Sequence, residues 1–540
     1  MTRRREGVPQ GRATAAGRFT LASLVWEALE RYADRRALID EGGTPLSYAD
    51  LGSAVARRAD ALRALGARRI AVMAPTESAM TVWWLTAMGM TGVAVTVVSP
   101  ARAADERAAA VDAFGPDVIV THADADLDGA TPVATLTSPR PSIGEHGSEV
   151  LARPSRAPRP PSDVTEPLRH IVVTTSGTTG SPKVVVHSDR SLGRALWVTT
   201  MLRRETLGGE SSPIPRQLTA GELGNVVFDG GPHDLVYLNG MPVATISGMT
   251  VLLQSILTGA TSVVAESFSA AKYLDLIEAQ GVTNLALSPH MAQGLVRRQC
   301  RSPRRTATVL ATGIGGGPAS ADLCREFESV IGGVTAVGYG LTETAGPALM
   351  ARYSEGEAVR WETVGRPAPG VRARIGKSGD DAGELALHHP GLCHGYLDTS
   401  GRVTPLPTND GFFSTGDSAR RRADGNLVIG SRSSDLIIRG GRNVDHLRIE
   451  RVLDGCPGIV RTAVVGVPSA VPGEEDVVAV VEAEGGDTDL VALRSYARAQ
   501  LAAGERPQRY LRVERLPTTR DHEVRRSALR SMICEGAISS

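Results

Sequence analysis

The sequence predicts a large α/β protein that ends in a small α+β domain, and its size and its hydrophobic patterning both support this fold class. With 540 residues, 42% apolar residues and 59 glycines, the chain can bury several cores, so two or three domains are expected. Helical patterns over 24–32 and 48–65 alternate with short β-branched runs over 69–72 and 118–121. Such alternation is typical of helices layered on largely parallel sheets.

Two segments of the first 430 residues need separate interpretation. Residues 79–98 carry no charge, but threonines and glycines interrupt them, so we predict a buried helix followed by a buried strand over 93–98 rather than a membrane span. Residues 138–167 are rich in Pro, Ser and Arg, lack periodicity and are predicted to be a surface connection. Beyond them we predict strands at 171–174 and 261–264 and helices at 251–257 and 270–280.

A domain boundary is predicted near residues 430–434, which divides the chain into domains 1–431 and 432–540. The second domain should contain helices 447–453 and 489–501 and strands 462–467 and 477–481. About a hundred residues is a normal size for a small domain.

The charge balance and the cysteines exclude several classes of function. Lys+Arg and Asp+Glu both total 59, so no net field favours nucleic acid or an acidic membrane, and we expect neither as a partner. The basic residues 3–5 are interpreted as a solvated tail, because no apolar signal core follows them. The scattered cysteines suggest neither disulfides nor a zinc site, and a cytoplasmic location is expected: Cys300, Cys324, Cys393, Cys456 and Cys534.

A phosphate-binding loop is predicted directly after the strand at 171–174. Its glycines let backbone N–H groups close around phosphate oxygens, its hydroxyls donate further hydrogen bonds, and its lysine offsets charge. It differs from the G-x-x-x-x-G-K-[ST] loop, since a proline separates the last glycine from the lysine. The candidate binding residues are Thr175, Ser176, Gly177, Thr178, Thr179, Gly180 and Lys183.

This loop resembles the phosphate signature of the adenylate-forming superfamily, which contains acyl-CoA synthetases, peptide-synthetase adenylation domains and firefly luciferase. Further motifs of that superfamily follow in order over roughly residues 20–530. They are Gly315-Gly316-Gly317-Pro318, Gly338-Tyr339-Gly340-Leu341-Thr342-Glu343-Thr344, Gly383-Glu384-Leu385 with Gly395-Tyr396, Ser414-Thr415-Gly416-Asp417, and Gly430 to Asp435 with Gly440-Gly441-Arg442-Asn443. The resemblance implies a small β-barrel-like subdomain in the large domain and a mobile C-terminal domain.

The resemblance also implies roles for the residues of the nucleotide site. Tyr339 would stack on adenine beside the backbone of Gly315, Gly316, Gly317 and Gly340. Thr342 would bind the α-phosphate, and Glu343 would hold Mg²⁺ if ATP is used. Asp417 and Arg432 would contact the ribose. Taken singly, these residues could instead be core, capping or surface residues.

In this superfamily the small domain rotates between an adenylating pose and a thioester-forming pose. The hinge position corresponds to Ser434 here, where Asp or Lys is usual. Gly440 and Gly441 would line the channel for the pantetheine arm of CoA, because a wall tight against a thin chain leaves no room for a Cβ.

The sequence departs from the superfamily where a C-terminal lysine normally bridges the attacking carboxylate and the α-phosphate. Glu523 stands in that place, and the only lysines of the chain are Lys183, Lys272 and Lys377. Loss of one preorganised donor costs about 10²- to 10³-fold in rate, and a carboxylate there adds repulsion. Arg525, two residues on, is the one candidate substitute.

The acyl-pocket motif differs as well. The superfamily often has an aromatic residue and a histidine where this chain has Ala244 and Thr245, after Pro242-Val243. Smaller side chains would widen the pocket, which Gly248 is also expected to line, and this hints at a bulky acyl group.

The sequence therefore predicts an enzyme of the second half-reaction, in which CoA attacks an acyl-adenylate (acyl-AMP) supplied by a separate adenylating enzyme. Three alternatives stay open. The protein could be a complete ATP-dependent AMP-forming ligase that uses Arg525, it could transfer the acyl group to a carrier protein, or it could be a non-catalytic nucleotide-binding protein.

Overall fold

The structure, a computed structural model, describes most of the chain. It covers residues 20–99, 104–122, 131–136, 149–153, 170–174, 183–206, 210, 212–215, 218–228, 234–376, 380–398, 401–432, 437–439, 442–444, 446–469, 471, 475–483, 490–518 and 524–538.

Helices and strands alternate through the large domain as the sequence predicts. The helices are α1 (Ala22–Arg31), α2 (Tyr48–Ala64), α3 (Glu77–Met88), α4 (Ala104–Phe114), α5 (Asp189–Thr206), α6 (Ala220–Phe228), α7 (Ile246–Leu257), α8 (Ala270–Gln280), α9 (Pro289–Arg301), α10 (Ala321–Val330), α11 (Glu357–Glu362), α12 (His446–Asp454), α13 (Leu490–Gln500) and α14 (Arg526–Cys534). The strands are β1 (Arg36–Ile39), β2 (Pro45–Ser47), β3 (Arg69–Val72), β4 (Ala94–Val97), β5 (Val118–His122), β6 (Thr131–Leu136), β7 (Glu149–Arg153), β8 (His170–Thr174), β9 (Val184–Ser188), β10 (Val236–Asn239), β11 (Thr261–Val263), β12 (Asn284–Leu287), β13 (Ala311–Ile314), β14 (Val334–Leu341), β15 (Gly346–Met350), β16 (Arg366–Pro367), β17 (Arg372–Ile375), β18 (Ala382–His388), β19 (Gly395–Leu397), β20 (Val403–Pro405), β21 (Thr408–Asn409), β22 (Phe412–Arg421), β23 (Leu427–Arg432), β24 (Ile437–Arg439), β25 (Arg442–Val444), β26 (Ile459–Pro468), β27 (Glu475–Ala483) and β28 (Arg509–Val513). A short 3₁₀ turn spans Thr342–Thr344.

Two mixed sheets form the body of the large domain. The first has the order β16-β15-β14-β13-β12-β10-β11-β1-β2, and the six strands from β14 to β1 run parallel. The second has the order β20-β19-β9-β8-β4-β3-β5-β7-β6, with a parallel centre formed by β8, β4, β3 and β5. Because parallel strands end at the same edge of a sheet, the loops after β14, β13, β12, β10 and β11 lie side by side, where ligands of α/β sheets commonly bind.

Buried helices cover these sheets, and local sequence determines where they begin. Every residue of α3 is buried, which agrees with the prediction of a buried helix and then a strand for residues 79–98. Thr76 caps α3 by accepting a hydrogen bond from Ala79 N at 3.1 Å. α9 begins with a Ser288 cap and Pro289, a residue that suits the first helical position. Among the described residues, no helix is both long and apolar enough to span a bilayer.

One prediction for the large domain is wrong. Residues 138–167 were expected to form a surface connection, yet β7 lies within them and pairs with both β5 and β6. Val150, Leu151 and Ala152 are buried there. A three-residue apolar run between polar neighbours is too short to show a strand period, so the pairing is fixed by tertiary contacts.

A separate antiparallel sheet and the small domain complete the fold. Strands β17, β18, β22, β21 and β23 form a five-stranded antiparallel sheet, which corresponds to the predicted small β subdomain. The small domain contains the sheet β26-β27-β28 with α12, α13 and α14, and its apolar clusters draw only on residues from Ile437 onwards. The predicted fold class, a large α/β domain followed by a small α+β domain, is confirmed.

Candidate active site

The ends of two neighbouring strands bring the predicted glycines close to the Tyr339 motif. β13 and β14 pair in parallel through Ile314 and Val337, so the segments that follow them leave the sheet side by side. A Cβ on Gly315 would lie 3.3 Å from the carbonyl oxygen of Gly338, and Gly316 has a φ of +74°. Without side chains at these positions the backbone is open to a flat ligand, and contact with adenine stays a prediction.

The turn after β14 holds Thr342 and Glu343 in place. Thr344 Oγ1 accepts a hydrogen bond from Leu341 N at 3.0 Å and can donate to Leu341 O at 2.9 Å. Gly340 is required by packing alone, since a Cβ there would lie 2.3 Å from Gly346 O. The hydrogen bonds of Thr344 and the close approach at Gly340 therefore account for the sharp turn.

Tyr339 and Asp417 are joined by a hydrogen bond. The Tyr339 hydroxyl donates to a carboxylate oxygen of Asp417, which is only 5% exposed. Asp417 N also donates to Thr415 Oγ1 at 3.1 Å. Asp417 on β22 lies directly across from Arg432 on β23, so the two residues predicted to contact a ribose are cross-strand neighbours.

Glu343 lies in a second polar group, with Tyr396 and Lys183. The Tyr396 hydroxyl donates to Glu343 Oε1 at 2.8 Å, and burial together with this carboxylate raises the pKa of Tyr396. The exposed Lys183 places its Nζ 5.1 Å from the centre of the Tyr396 ring. An acid, a phenol and a cation therefore meet where β9 begins.

A buried histidine, which was not predicted from sequence, supports this turn. His187 Nε2 donates to Thr342 O at 2.7 Å, while Nδ1 lies 3.2 Å from Ser191 Oγ. Burial lowers the pKa of His187 to about 4, so the ring is neutral at physiological pH. The one signal in the sequence is a histidine that interrupts the apolar run of β9, just after the loop lysine.

A magnesium ion fits this arrangement only with help from a substrate. Among the described residues, no group of three or more His, Cys, Asp or Glu side chains is placed to hold a metal. Mg²⁺ is commonly bound by one or two carboxylates together with substrate phosphates. Glu343, which is 9% exposed, suits the role of a single protein ligand of that kind.

The predicted acyl-pocket residues surround the turn between β10 and α7. Thr245 caps α7, because its Oγ1 accepts from Gly248 N at 3.1 Å and donates to Pro242 O at 2.8 Å. Ala244 is buried, and a Cβ on Gly248 would lie 2.0 Å from Pro242 O. Pro242 and Gly248 line a cavity of about 270 Å³, whereas Ala244 and Thr245 are not among the residues that line it.

Several predicted site residues lie outside the described part of the chain. They are Thr175, Ser176, Gly177, Thr178, Thr179 and Gly180 of the phosphate loop, Ser434, Gly440, Gly441 and Glu523. For Arg432 the structure gives the backbone position. Close to Glu523 in sequence, Thr518 and Val524 pair in an antiparallel bridge, and Thr518 lines the cavity described above.

Curated proteins with similar sequences include synthases and ligases that are named for CoA or for a carrier protein. A feruloyl-CoA synthase of an Amycolatopsis species is 28% identical over 510 residues, which is 93% of this chain and 96% of that protein. A fatty acid–[acyl-carrier-protein] ligase of Streptomyces coeruleorubidus is 30% identical over 379 residues, or 68% of each chain. The salicyl-AMP ligase/salicyl-S-ArCP synthetase of Mycobacterium tuberculosis is 27% identical over 93% of this chain and 88% of its own.

Solved structures confirm the fold. The O-succinylbenzoate coenzyme A synthetase of Bacillus subtilis, in complex with AMP, has a TM-score of 0.71 at 21% identity and covers 94% of this chain and 97% of its own. The amide bond synthetase McbA of Marinactinospora thermotolerans also has a TM-score of 0.71, at 22% identity, with 95% and 99% covered. At such identities the likeness concerns architecture.

Two family models together match most of the chain. The model of the AMP-binding enzyme matches residues 25–397, which include the nucleotide-site motifs as far as Tyr396. The model of the AMP-binding enzyme C-terminal domain matches residues 448–522 and ends one residue before Glu523. The order of motifs, the fold and both matches agree, and the chain belongs to the AMP-binding enzymes, the adenylate-forming superfamily of acyl-CoA synthetases and ligases.

Proposed function

We propose that this enzyme forms a thioester between an acyl-adenylate and CoA and does not make the adenylate itself. The observation that carries the proposal is Glu523, an anion where the superfamily presents its mobile lysine. At 4 Å two like charges repel by about 1 kcal/mol in water and about 4 kcal/mol near a protein surface. Together with the lost donor, this opposes attack by a carboxylate on a triphosphate.

The described part of the site suits a ready-made acyl-adenylate. Tyr339 and Asp417 would bind the adenosine, and the Gly315–Gly317 backbone would border the base. In the proposed step the CoA sulfur attacks the acyl carbonyl and forms a C–S bond. The C–O bond to the phosphate breaks, AMP leaves with the electron pair, and the thiol proton passes to solvent. AMP is a good leaving group, so the step depends chiefly on orientation.

Neither nearby arginine is an evident substitute for the lysine. Arg526 forms a two-point ion pair with Glu450, at 2.7 Å to each carboxylate oxygen, and is thereby engaged inside the small domain. Arg525 is exposed and immediately precedes α14, with its backbone N–H bonded to Pro517 O at 2.8 Å. Among the described residues of this segment, Val524 forms an isolated bridge with Thr518 and Arg525 follows it directly before α14.

Two assays of the purified protein test the proposal. With ATP, Mg²⁺ and a panel of carboxylic acids, pyrophosphate release should stay at background, whereas a supplied acyl-adenylate and CoA should yield thioester and AMP. Glu523→Lys should raise pyrophosphate release by about 10²-fold or more. Glu523→Gln and Arg525→Lys are the matched controls, since the first removes the anion without adding a cation and the second adds an amine two residues away.

The possible results separate the alternatives. Robust pyrophosphate release by the wild type, lost in Arg525→Ala, would establish a complete ligase with an arginine substitute. No thioester above the solution rate would favour a non-catalytic nucleotide-binding protein. Either outcome would overturn the proposal.

The acceptor is proposed to be free CoA, and the acyl-adenylate is proposed to come from a separate adenylating enzyme. Relatives named for CoA and relatives named for carrier proteins both match this chain at similar identity, so the acceptor needs its own test. A competition between CoA and a carrier protein bearing phosphopantetheine, with one limiting acyl-adenylate, should give mainly acyl-CoA. Preferential loading of the carrier would reverse this assignment.

A further inference from the structure

A cavity of about 270 Å³ lies at the carboxyl ends of β10 and β11, and two glutamates are among the residues that line it. Both strands belong to the sheet whose β13 and β14 ends carry the nucleotide-site residues. Glu77 at the start of α3 and Glu266 after β11 both line the cavity. No Lys, Arg or His is found among the described residues that line it. The described part of its lining therefore combines two carboxylates and no basic side chain.

Hydrogen bonds from backbone N–H groups partly stabilise the two carboxylates. Glu266 Oε2 accepts from Glu77 N at 2.6 Å, at the start of α3, where a helix favours an anion. Glu77 Oε2 accepts from Val243 N at 3.0 Å and so ties α3 to the Pro242 turn. Behind them, Glu41 accepts from Glu266 N at 3.0 Å and forms an ion pair with Lys272. Of the three carboxylates Glu41, Glu77 and Glu266, Glu41 is the one paired with Lys272 in this way.

Glu266 differs from Glu41 in this respect. Among the described residues, no Lys or Arg forms an ion pair with Glu266. Burial raises the pKa of the Glu266 carboxyl, and the charge of Glu41 adds to the effect, although hydrogen bonds from Glu77 and Ser78 oppose it. A half-buried carboxylate in this situation gains most from a cation that enters the cavity.

Tyr273 gives an independent indication of a ligand. Its side chain lines the cavity and is 2% exposed, yet its hydroxyl makes no hydrogen bond to any described residue. Burial and the nearby charges of Glu77 and Glu41 raise the pKa of this phenol, so it stays protonated. Buried tyrosine hydroxyls usually have a partner. A polar group of a bound molecule would supply it.

We propose that this cavity binds the far end of the acyl group and selects acyl groups that carry a protonated amine there. The inference rests on the proposed function, because it assumes that an acyl-adenylate occupies the neighbouring strand ends. β13 is two strands from β10 and three from β11, so at about 4.8 Å per strand the cavity lies about 10–14 Å along the sheet edge from Gly315. An ammonium group can donate to Glu266 and Tyr273, which line the cavity together with Glu77, whereas an alkyl end offers these oxygens no hydrogen bond.

Binding of non-reacting acyl-adenylate analogues tests this proposal without any turnover. The probes are acyl-sulfamoyl adenosines whose chain ends in an amine, in a hydroxyl or in a methyl group, each at three matched chain lengths. At the best length, calorimetry should show the amine binding about tenfold or more tightly than the methyl analogue, with the hydroxyl between them.

Protein variants then assign the effect to the cavity. Glu266→Gln should lower affinity for the amine probe by about tenfold and change affinity for the methyl probe less than about twofold. Tyr273→Phe should weaken the amine probe a few-fold. Glu326→Gln on the exposed face of α10 is the control and should alter neither probe. In each variant, an unchanged affinity for AMP and an unchanged melting temperature would show that the fold is intact.

The failures of the two proposals can be told apart. Equal binding of the amine and methyl probes, or tighter binding of the methyl probe, would overturn the inference and leave the thioester activity standing. If neither AMP nor any probe binds, the adenylate site itself is wrong, and the proposed function fails with it.

Discussion

Replacing Asp417 by Asn offers the sharpest test of the nucleotide site. The carboxylate is 5% exposed, accepts the Tyr339 hydroxyl and is expected to accept the ribose hydroxyls of an adenylate. Asn keeps the size of the side chain but removes its charge. Hydrogen bonds to charged groups contribute about 1.5–3 kcal/mol, so we expect AMP affinity to fall by about 2 kcal/mol, or roughly thirtyfold in Kd.

The assay is a thermodynamic cycle with two nucleotides. Calorimetry would give the Kd of AMP and of dideoxy-AMP, which lacks both ribose hydroxyls, for the wild type and for Asp417→Asn. The wild type should lose about 2 kcal/mol on removal of the hydroxyls and the variant about 0.5 kcal/mol or less. Tyr339→Phe is the matched control, since it keeps the ring for stacking while removing the hydrogen bond from the Tyr339 hydroxyl to Asp417.

One result would refute the reasoning. If the wild type and Asp417→Asn lose the same affinity on changing from AMP to dideoxy-AMP, Asp417 does not contact the ribose. Its hydrogen bond with Tyr339 would then be purely structural.

Three further predictions concern stability. Gly248→Ala should lower the melting temperature by several degrees, since the new Cβ would lie 2.0 Å from Pro242 O and overpacking costs about 1–3 kcal/mol; an unchanged melting curve would contradict the close helix packing. In urea unfolding, Arg526→Met should destabilise the small domain by about 3–5 kcal/mol, whereas Arg530→Met, which breaks a more exposed pair, should cost less than about 1 kcal/mol. The pKa of the buried His187 is lowered to about 4, so the neutral ring stabilises the fold fully above pH ~6.5, and up to about 3 kcal/mol of the free energy of unfolding is lost as pH falls towards 4. Urea unfolding of His187→Asn over that pH range should therefore show a shallower decline in the free energy of unfolding than the wild type.

Local patterns predicted most of the framework. The short apolar run at 69–72 is the strand Arg69–Val72, and the helix predicted at 270–280 is Ala270–Gln280, which ends at Gly281 in the left-handed conformation. The motif glycines and acids were predicted because backbone contact with a nucleotide needs particular residue types in a fixed order. Of these residues, the structure joins Tyr339 to Asp417 by a hydrogen bond.

Residues that act through tertiary contacts could not be found in this way. Glu77, Glu266 and Tyr273 are separated by up to about two hundred residues and meet only when α3, β11 and α8 assemble at one sheet edge. His187 was missed for a similar reason, since its partner Thr342 is 155 residues away in sequence. A single side chain outside a periodic pattern carries no local signal of the residues that it contacts in the folded protein.

The position of Thr518 links substrate size to domain arrangement. Thr518 belongs to the small domain, yet it lines the same cavity as Glu77 and Glu266 of the large domain. A wall built from two domains is complete only while both stay in this relative position. If the small domain turns away, the cavity loses that wall, and an acyl group too long for the closed enclosure gains an exit to solvent.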